Sequence, residues 1–471
     1  MRKLLFRKLI PGLTLLIIPS PLSAQVLPQS RPAEGIELSV YAITGARIIT
    51  GTGSIIEKGN VIIRDGLISA VGAETSVPAD ARIIDGNGLT VYPGLIDAYT
   101  NLGFPAPPTP STTGTRGGAP PPNPELFALQ QPPASITARS ASTVFHPEIL
   151  AADRMRVEGD QFETERNAGI TAALSVPRDG IFIGQSAFIN LADGSTREIV
   201  IKSPVALHIS FNNSRPIGYP SSLMGVFSLF RQKLLDAQNY RQAQENYQRN
   251  PKGARRLDYD PQLDALLPVL SREMPIIFNA NSEREIDRAL NLAEEFNLRA
   301  IIAGGADSWK VIERLRALNV PVLLSLNYPK RTAEALAEAD PESLEVLRSR
   351  VEAPKTAGKL AAAGIRFAFQ SGGLTNINDY LANAAKSVES GLSVDQAVRG
   401  MTFSAAEILG LDQQLGTIEA GKIANLTVIK GSLFDKTRKI TQLFIDGKQI
   451  ELKSVTPATP EAPKPGTPTN Q

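Results

Sequence analysis

The sequence contains no cysteine, a single tryptophan and only two histidines, His146 and His208, among its 471 residues. The absence of cysteine excludes disulfide bonds, thiolate metal ligands and a lipidated N-terminal cysteine. The shortage of histidine restricts the chemistry further, because a hydrolytic zinc site needs about three good protein ligands and a water. Histidine and cysteine alone cannot supply such a site in this chain.

The chain also lacks a charge imbalance and a glycine-rich nucleotide-binding motif. It carries 49 basic and 47 acidic residues, which gives no reason to expect capture of nucleic acid or anionic membrane. Hydrophobic residues make up 42% of the sequence. Length and composition therefore predict a globular protein with one large domain and a smaller one.

The N-terminus has the pattern of a secretory signal peptide. A basic stretch within residues 1–8 precedes an apolar stretch over 9–18, and Leu22-Ser23-Ala24 offers a cleavage site before Gln25. The apolar stretch is too short to span a bilayer. We predict a signal peptide at 1–24 and export to the bacterial periplasm or medium, with no membrane span after cleavage.

Two stretches are rich in proline, which removes backbone donors and favours extended, solvated chain. Residues 105–133 contain ten prolines and residues 456–471 contain five. We predict a disordered insertion at 105–133, with a functional lid as the second interpretation. We predict a disordered tail at 454–471.

The two ends of the remaining chain are β-rich, whereas the middle alternates strands with helices. Asp65-Gly66 is a two-residue hairpin signal in the first β-rich block. In the middle, Ser282 with Glu285 forms a capping box before a predicted helix, and a further helix is predicted over 307–318. Repeated strand–helix units favour a parallel sheet, and the pattern alone leaves open whether that sheet is closed.

Three segments resemble the amidohydrolase superfamily of metal-dependent hydrolases. Residues 93–102 read PGLIDAYTNL, where the family has PGLID-x-HTHL. Residues 402–410 read TFSAAEILG, similar to T-x-NPA-x-xLG, and residues 415–426 read LGTIEAGKIANL, similar to LGSIEPGKDADL. The resemblance implies a (β/α)₈ barrel over 93–410. It also implies a composite β-sandwich built from 25–92 and 411–453.

Members of this family that keep the chemistry hold one or two divalent metals, usually zinc, at the ends of the barrel strands. At the matched positions this chain has Tyr99 and Asn101 for two histidines and Asn279 for a third. Gly372 stands at the aspartate position, two residues after Gln370. Amide oxygens are weak ligands for zinc, and tyrosine would have to lose a proton at a pKa near ~10. We therefore predict no metal cofactor.

His208 lies in a predicted strand but at no matched ligand position, and we interpret it as a satisfied, partly buried histidine. Lys202 lies at the wrong end of that strand to be the family's strand-4 lysine. Ser371 and Ser325 are possible nucleophiles, but the sequence places no base beside either. Asp97 is interpreted as structural.

Three functions remain open. The first is an exported, catalytically degenerate amidohydrolase homologue that serves as a scaffold, self-associates or partners an active paralogue. The second is an active hydrolase of non-peptide or cyclic carbon–nitrogen bonds with unusual metal ligands. The third is a periplasmic protein that binds a small molecule in a pocket lined by Tyr99, Asn101, Asn279, Gln370, Gly372 and His208.

Overall fold

The computed structural model describes residues 40–104, 144–178, 180–211, 220–253, 256–330 and 342–452. The predicted signal peptide at 1–24, the proline-rich insertion at 105–133 and the tail at 454–471 lie outside these residues. None of the helices in the described part of the chain is long and apolar enough to cross a bilayer.

The described strands number eighteen. They are β1 Tyr41–Ile49, β2 Ile55–Arg64, β3 Leu67–Gly72, β4 Arg82–Asp85, β5 Leu89–Pro93, β6 Leu95–Thr100, β7 Ile170–Ser175, β8 Phe182–Gln185, β9 Ala187–Asn190, β10 Val200–Lys202, β11 Leu207–Ser210, β12 Ile276–Ala280, β13 Ala300–Gly304, β14 Val322–Ser325, β15 Phe367–Gln370, β16 Leu426–Lys430, β17 Lys439–Ile445 and β18 Lys448–Ile450.

The described α-helices number twelve. They are α1 Ala151–Arg154, α2 Gln161–Asn167, α3 Thr196–Ile199, α4 Leu223–Arg249, α5 Pro261–Asp264, α6 Leu267–Leu270, α7 Glu283–Glu295, α8 Ile312–Ala317, α9 Leu344–Ala362, α10 Asp379–Glu389, α11 Val394–Gly400 and α12 Phe403–Leu409.

Strands from both β-rich blocks form one eight-stranded sheet. Its order is β18-β17-β16-β5-β1-β2-β3, with β4 paired to β1. The contact between the blocks is the antiparallel pairing of β16 with β5. The predicted hairpin at Asp65-Gly66 is confirmed, since both residues have the positive φ angles, 53° and 80°, that suit a two-residue turn.

The middle of the chain forms two further sheets of mixed direction. One has the order β10-β9-β7-β6 and the other the order β15-β14-β13-β12-β11-β8. Strands β11 to β15 run parallel to one another, whereas β8 pairs antiparallel with β11. Strands β6, β7 and β11 are buried at every residue, as expected for strands covered on both faces.

A hydrophobic cluster fills the space between these two sheets. It combines Ile96 and Ala172 from the four-stranded sheet with Ile277, Ile301 and Leu323 from the six-stranded sheet. The helices pack against the opposite faces of the strands in a second, larger cluster. The carboxyl ends of β12 to β15 therefore open at one end of an enclosed core, beside the end of β6.

The helical predictions are confirmed in one case and wrong in detail in another. The capping box of Ser282 and Glu285 begins α7. The helix predicted over 307–318 is broken into a 3₁₀ turn, Ser308–Lys310, and the short α8. The break follows from Val311, whose backbone (φ −117°, ψ 25°) departs from helical geometry.

A buried amide joins the eight-stranded sheet to the four-stranded sheet. Asn425, just before β16, donates from Nδ2 to Oδ1 of Asn190 at 2.7 Å. Its Oδ1 accepts from the backbone N–H of Asp446 at 3.0 Å. Both sides of the amide are thus used, and Asn190 in turn donates from its own Nδ2 to the carboxylate of Asp446 across the same junction.

We predict that Asn425→Ala lowers the free energy of unfolding by about 2 kcal/mol, because it leaves buried polar partners unsatisfied. Chemical denaturation with urea measures this loss. Asn87→Ala, in an exposed turn, is the matched control and should change stability by less than about 0.5 kcal/mol. Equal losses in both variants would contradict the assigned junction.

Candidate functional site

A cavity of about 810 Å³ lies at the carboxyl ends of the strands, and its lining is mostly polar. Tyr99 lies on β6, Asn279 on β12 and Gln370 on β15. Asn101 follows the end of β6, and Gly372 follows the end of β15. Its polar side chains include Tyr99, Asn101, Arg178, Ser210, Asn279, Asn281, Ser325, Asn327, Tyr328 and Gln370, and Gly372 and Gly373 add backbone. The structure thus brings together all the predicted pocket residues except His208.

Tyr99 is held as a neutral phenol. Its ring is 6% exposed, and burial raises the pKa of Tyr99 to about 12. The hydrogen bond with the side chain of Asn279 and the charge of Arg178 act in the opposite direction and do not offset the burial. At neutral pH Tyr99 therefore cannot offer the phenolate that metal coordination would require.

The two amides next to Tyr99 are tied to the ends of the strands. Asn101 donates from Nδ2 to the carbonyl oxygen of Val176 at 2.8 Å. Gln370 accepts from the backbone N–H of Gly372 at 2.8 Å and donates weakly to the carbonyl of Leu323 at 3.4 Å. These hydrogen bonds fix the orientation of both side-chain amides. The side-chain oxygen of Asn101 is left as an acceptor.

The space around Gly372 is already filled. A Cβ atom built there would lie 2.4 Å from Oε1 of Gln370 and 3.1 Å from Cδ1 of Tyr99. An aspartate, the residue that the family resemblance implies at this position, has no room unless both neighbours move. Gln370 and Tyr99 therefore crowd the position of the Cβ atom that any side chain at 372 would need.

A catalytic divalent metal does not fit these residues. Within the described ranges no group of three histidine, cysteine, aspartate or glutamate side chains converges. The matched positions offer a neutral phenol, tied amides and a glycine without room for a side chain. Such donors suit hydrogen bonding to an organic molecule better than they suit zinc.

The interpretation of His208 is corrected by the structure. It is 1% exposed, and both ring nitrogens lack a hydrogen-bond partner among the described residues, so it is neither partly buried nor satisfied. Its ring packs edge-on against Tyr99 with 5.5 Å between centroids. Burial lowers the pKa of His208 to about 3, so the ring is neutral. Ser210, two residues later on β11, reaches the cavity instead.

The other candidates lie apart from the cavity floor. His146 is partly exposed and contacts Glu148 at 3.4 Å. Lys202 reaches the carbonyl oxygens of Leu409 and Gly410, at the opposite end of the strands. Neither residue is among those that line the cavity.

Sequence reasoning missed the partner of Ser371. Its hydroxyl and its backbone N–H both donate to the carboxylate of Asp97, the latter at 2.9 Å. The two residues are 274 positions apart, so no local pattern could reveal the contact. It also missed Asn281 and Asn327, which line the cavity. Asn281 follows Asn279 by two residues, and Asn327 follows Ser325 by two. Side chains two positions apart on an extended chain lie on the same side, and this spacing was the available signal.

The family model described as "Amidohydrolase family" matches residues 274–450. An imidazolonepropionase of Mesorhizobium japonicum is 47% identical over 58 residues, which are 12% of this chain and 14% of that protein. An imidazolonepropionase of Symbiobacterium thermophilum is 21% identical over 420 residues, or 80% of this chain and 84% of the relative. The chain thus spans only a small part of the more identical relative.

Among solved structures, an amidohydrolase from Thermotoga maritima superposes with a TM-score of 0.70 at 22% identity. The superposition covers 87% of this chain and 99% of that one. The fold is therefore an α/β fold shared with an amidohydrolase. Residues 274–450 match the amidohydrolase family model, which agrees with the resemblance that the sequence shows in this part of the chain.

We predict that Gly372→Ala destabilises the protein by about 1–2 kcal/mol, since the added methyl displaces Gln370 and breaks its bond to the backbone. Thermal and urea denaturation measure the change. Gly358→Ala in α9 is the matched control, because its Cβ meets neighbours no closer than 3.5 Å. If Gly372→Ala is as stable as the control, the space around Gly372 is not filled as described.

Proposed function

We propose that this chain is an exported, catalytically degenerate amidohydrolase homologue that has no catalytic metal. One observation carries the proposal: Tyr99 and Gln370 fill the space beside Gly372 where a ligating side chain would have to stand. The remaining matched positions, Asn101 and Asn279, hold amides engaged with neighbouring groups. Export is inferred from the signal-like pattern of residues 1–24 alone.

The proposal includes a closed (β/α)₈ barrel over 93–410, with a composite β-sandwich from 25–92 and 411–453. Its support is the contact between β6 and β15, the outermost strands of the two central sheets. The hydroxyl of Tyr380 lies 3.2 Å from the carbonyl oxygen of Ile96 and 3.3 Å from that of Phe369. The pairing of Ser371 with Asp97 joins the same two strands.

We predict that the purified mature protein contains far less than one equivalent of zinc, manganese, iron or nickel, because no set of metal ligands converges in the cavity among the described residues. Elemental analysis by mass spectrometry measures the content before and after loading with each metal. Assays with amide, cyclic amide and imidazolone substrates accompany it. A metal near one equivalent, together with hydrolysis that a chelator abolishes, would establish the alternative, an active hydrolase with unusual ligands.

A second candidate function is favoured by the size and chemistry of the cavity. Its volume of about 810 Å³ suits a small organic molecule. The lining combines five amide side chains, two tyrosines and Arg178, and contains no carboxylate among the residues that the structure describes. Amides both donate and accept, so this lining matches a neutral or anionic compound with amide or hydroxyl groups. Ligand binding and loss of hydrolysis are compatible within one protein.

We predict that such a compound raises the melting temperature, because a ligand at 100 times its Kd stabilises the folded state by about 2.7 kcal/mol. A thermal-shift screen of N-acyl amino acids, cyclic amides and ureides tests this. Asn327→Leu, which removes a cavity amide, should abolish the shift. Asn246→Leu on the exposed face of α4 should preserve it. A screen in which no compound shifts the melting temperature would favour the scaffold role, alone or with an active paralogue.

A further inference from the structure

A second, smaller cavity of about 290 Å³ adjoins the cavity described above. This side pocket is lined by Trp309, Val346, Pro329 and Ser349 among others, and the last two residues also line the main cavity. Its volume lies at the lower limit of small-molecule sites, which usually span ~300–1,000 Å³. The side pocket therefore suits one group of a ligand rather than a whole ligand.

Three separate segments of the chain run from the main cavity into the side pocket. After β13, Ala306 lines the cavity and Trp309 lines the side pocket. After β14, Tyr328 lines the cavity and the next residue lines both spaces. On α9, Ala353 lines the cavity and Val346 lines the side pocket. The two spaces therefore adjoin through the course of the backbone and not through one side chain.

The side pocket differs from the main cavity in polarity. Its surface is mostly apolar, whereas that of the cavity is mostly polar. The apolar surface includes the indole of Trp309, the ring of Pro329 and the side chain of Val346, which is 42% exposed. An apolar group placed there removes this surface from water, and an aromatic group can also stack on or meet the edge of the indole.

The indole of Trp309 is held in place before any ligand arrives. The 3₁₀ turn that carries it begins with a hydrogen bond of 3.0 Å from the N–H of Ser308 to the carbonyl oxygen of Gly305. The ammonium group of Lys359 lies 4.3 Å from the centroid of the ring. Lys359 is itself held by Glu352, with 2.6 Å between Nζ and Oε2. A ring that is already ordered loses little freedom when a ligand packs against it.

The charged side chains around the side pocket balance one another. Asp307 and Lys310 form an ion pair with 3.0 Å between Oδ2 and Nζ. The other two charged residues of the described lining, Glu345 and Arg348, have opposite signs. A charged group would gain no net attraction from this lining, so an uncharged apolar group is the better match.

We propose that the side pocket is a subsite for an uncharged aromatic group of a ligand whose polar, amide-bearing part lies in the main cavity. The ligand class is then an aromatic acyl derivative of an amino acid or of a similar small polar compound. This inference rests on the ligand binding proposed above and adds the substituent that the site selects.

The first experiment compares three probes that share one polar part, N-acetylglycine, N-benzoylglycine and N-phenylbutanoylglycine. Calorimetric titration of the full-length protein measures the affinity for each. At least one of the two aromatic probes should bind about tenfold more tightly than N-acetylglycine, because its ring leaves water for the side pocket. The two aromatic probes differ in the length of the spacer and so test the reach from the cavity.

Trp309 is the only tryptophan of the chain, so its fluorescence reports on the side pocket alone. The aromatic probe that binds more tightly should change this emission saturably, with the same Kd that calorimetry gives. N-acetylglycine should leave the emission unchanged, since its acetyl group is too small to reach the indole from the cavity.

Two matched variants separate the side pocket from the rest of α9. Val346→Asp places a charge in the side pocket at a half-exposed position, and it should abolish the gain in affinity of the aromatic probe. Leu344→Asp, in the same turn of the helix and 82% exposed, lies outside the lining and should keep the gain. Asn327→Leu, in the main cavity, should weaken all three probes.

Equal affinities for N-acetylglycine and the aromatic probes would overturn the inference and leave the binding function in place. An undiminished gain in Val346→Asp would have the same meaning. Tight aromatic binding that Asn327→Leu does not weaken would also overturn it, because the side pocket would then act alone. If none of the probes binds, the inference fails, whereas the binding function is decided by the wider thermal-shift screen.

Discussion

The hydrogen bonds from Ser371 to the carboxylate of Asp97 are the contact on which the candidate site depends. They join β6 to β15, although the residues are 274 positions apart in the chain. Tyr99 follows Asp97 by two residues, and Gln370 and Gly372 flank Ser371. The position of every one of these cavity residues is therefore set by a single buried carboxylate. Burial makes the contact strong, and it also makes any second charge nearby costly.

The side chains at the matched family positions contact one another. Tyr99 and Gln370 together enclose Gly372. The amide of Asn279 hydrogen-bonds Tyr99, and that of Asn101 hydrogen-bonds the end of β7 through Val176. Each substitution supports its neighbours through a hydrogen bond or a packing contact. A family residue placed at one of these positions would therefore disturb the neighbouring side chains.

The two core clusters explain why such changes are tolerated. The cluster between the sheets is mostly aliphatic, so the strands remain held when the polar residues at the cavity change. His208 lies at the boundary, buried against Tyr99 and without a polar partner among the described residues. Burying a neutral imidazole there costs less free energy than burying a charged one. The lowered pKa of His208 reflects this difference.

Much of the fold was readable from short-range patterns, because capping residues and two-residue turns act through neighbours in the chain. Ser282 with Glu285 and Asp65-Gly66 are examples, and both were found where predicted. The antiparallel partners of β7 and β11 were not predicted, since periodicity reports burial and not which strand lies alongside. The helix predicted over 307–318 was interrupted at Val311 by a backbone geometry that residue type does not encode.

The sequence by itself determined the superfamily resemblance, the identity of the replaced ligand positions and the shortage of histidine. These are properties of residue type and order, and no folding is needed to read them. Only the tertiary structure decided that Gly372 is enclosed, that Ser371 meets Asp97 and that His208 is buried against Tyr99. Those facts depend on distances between segments far apart in the chain, and burial there changes the protonation of groups that look ordinary in the sequence.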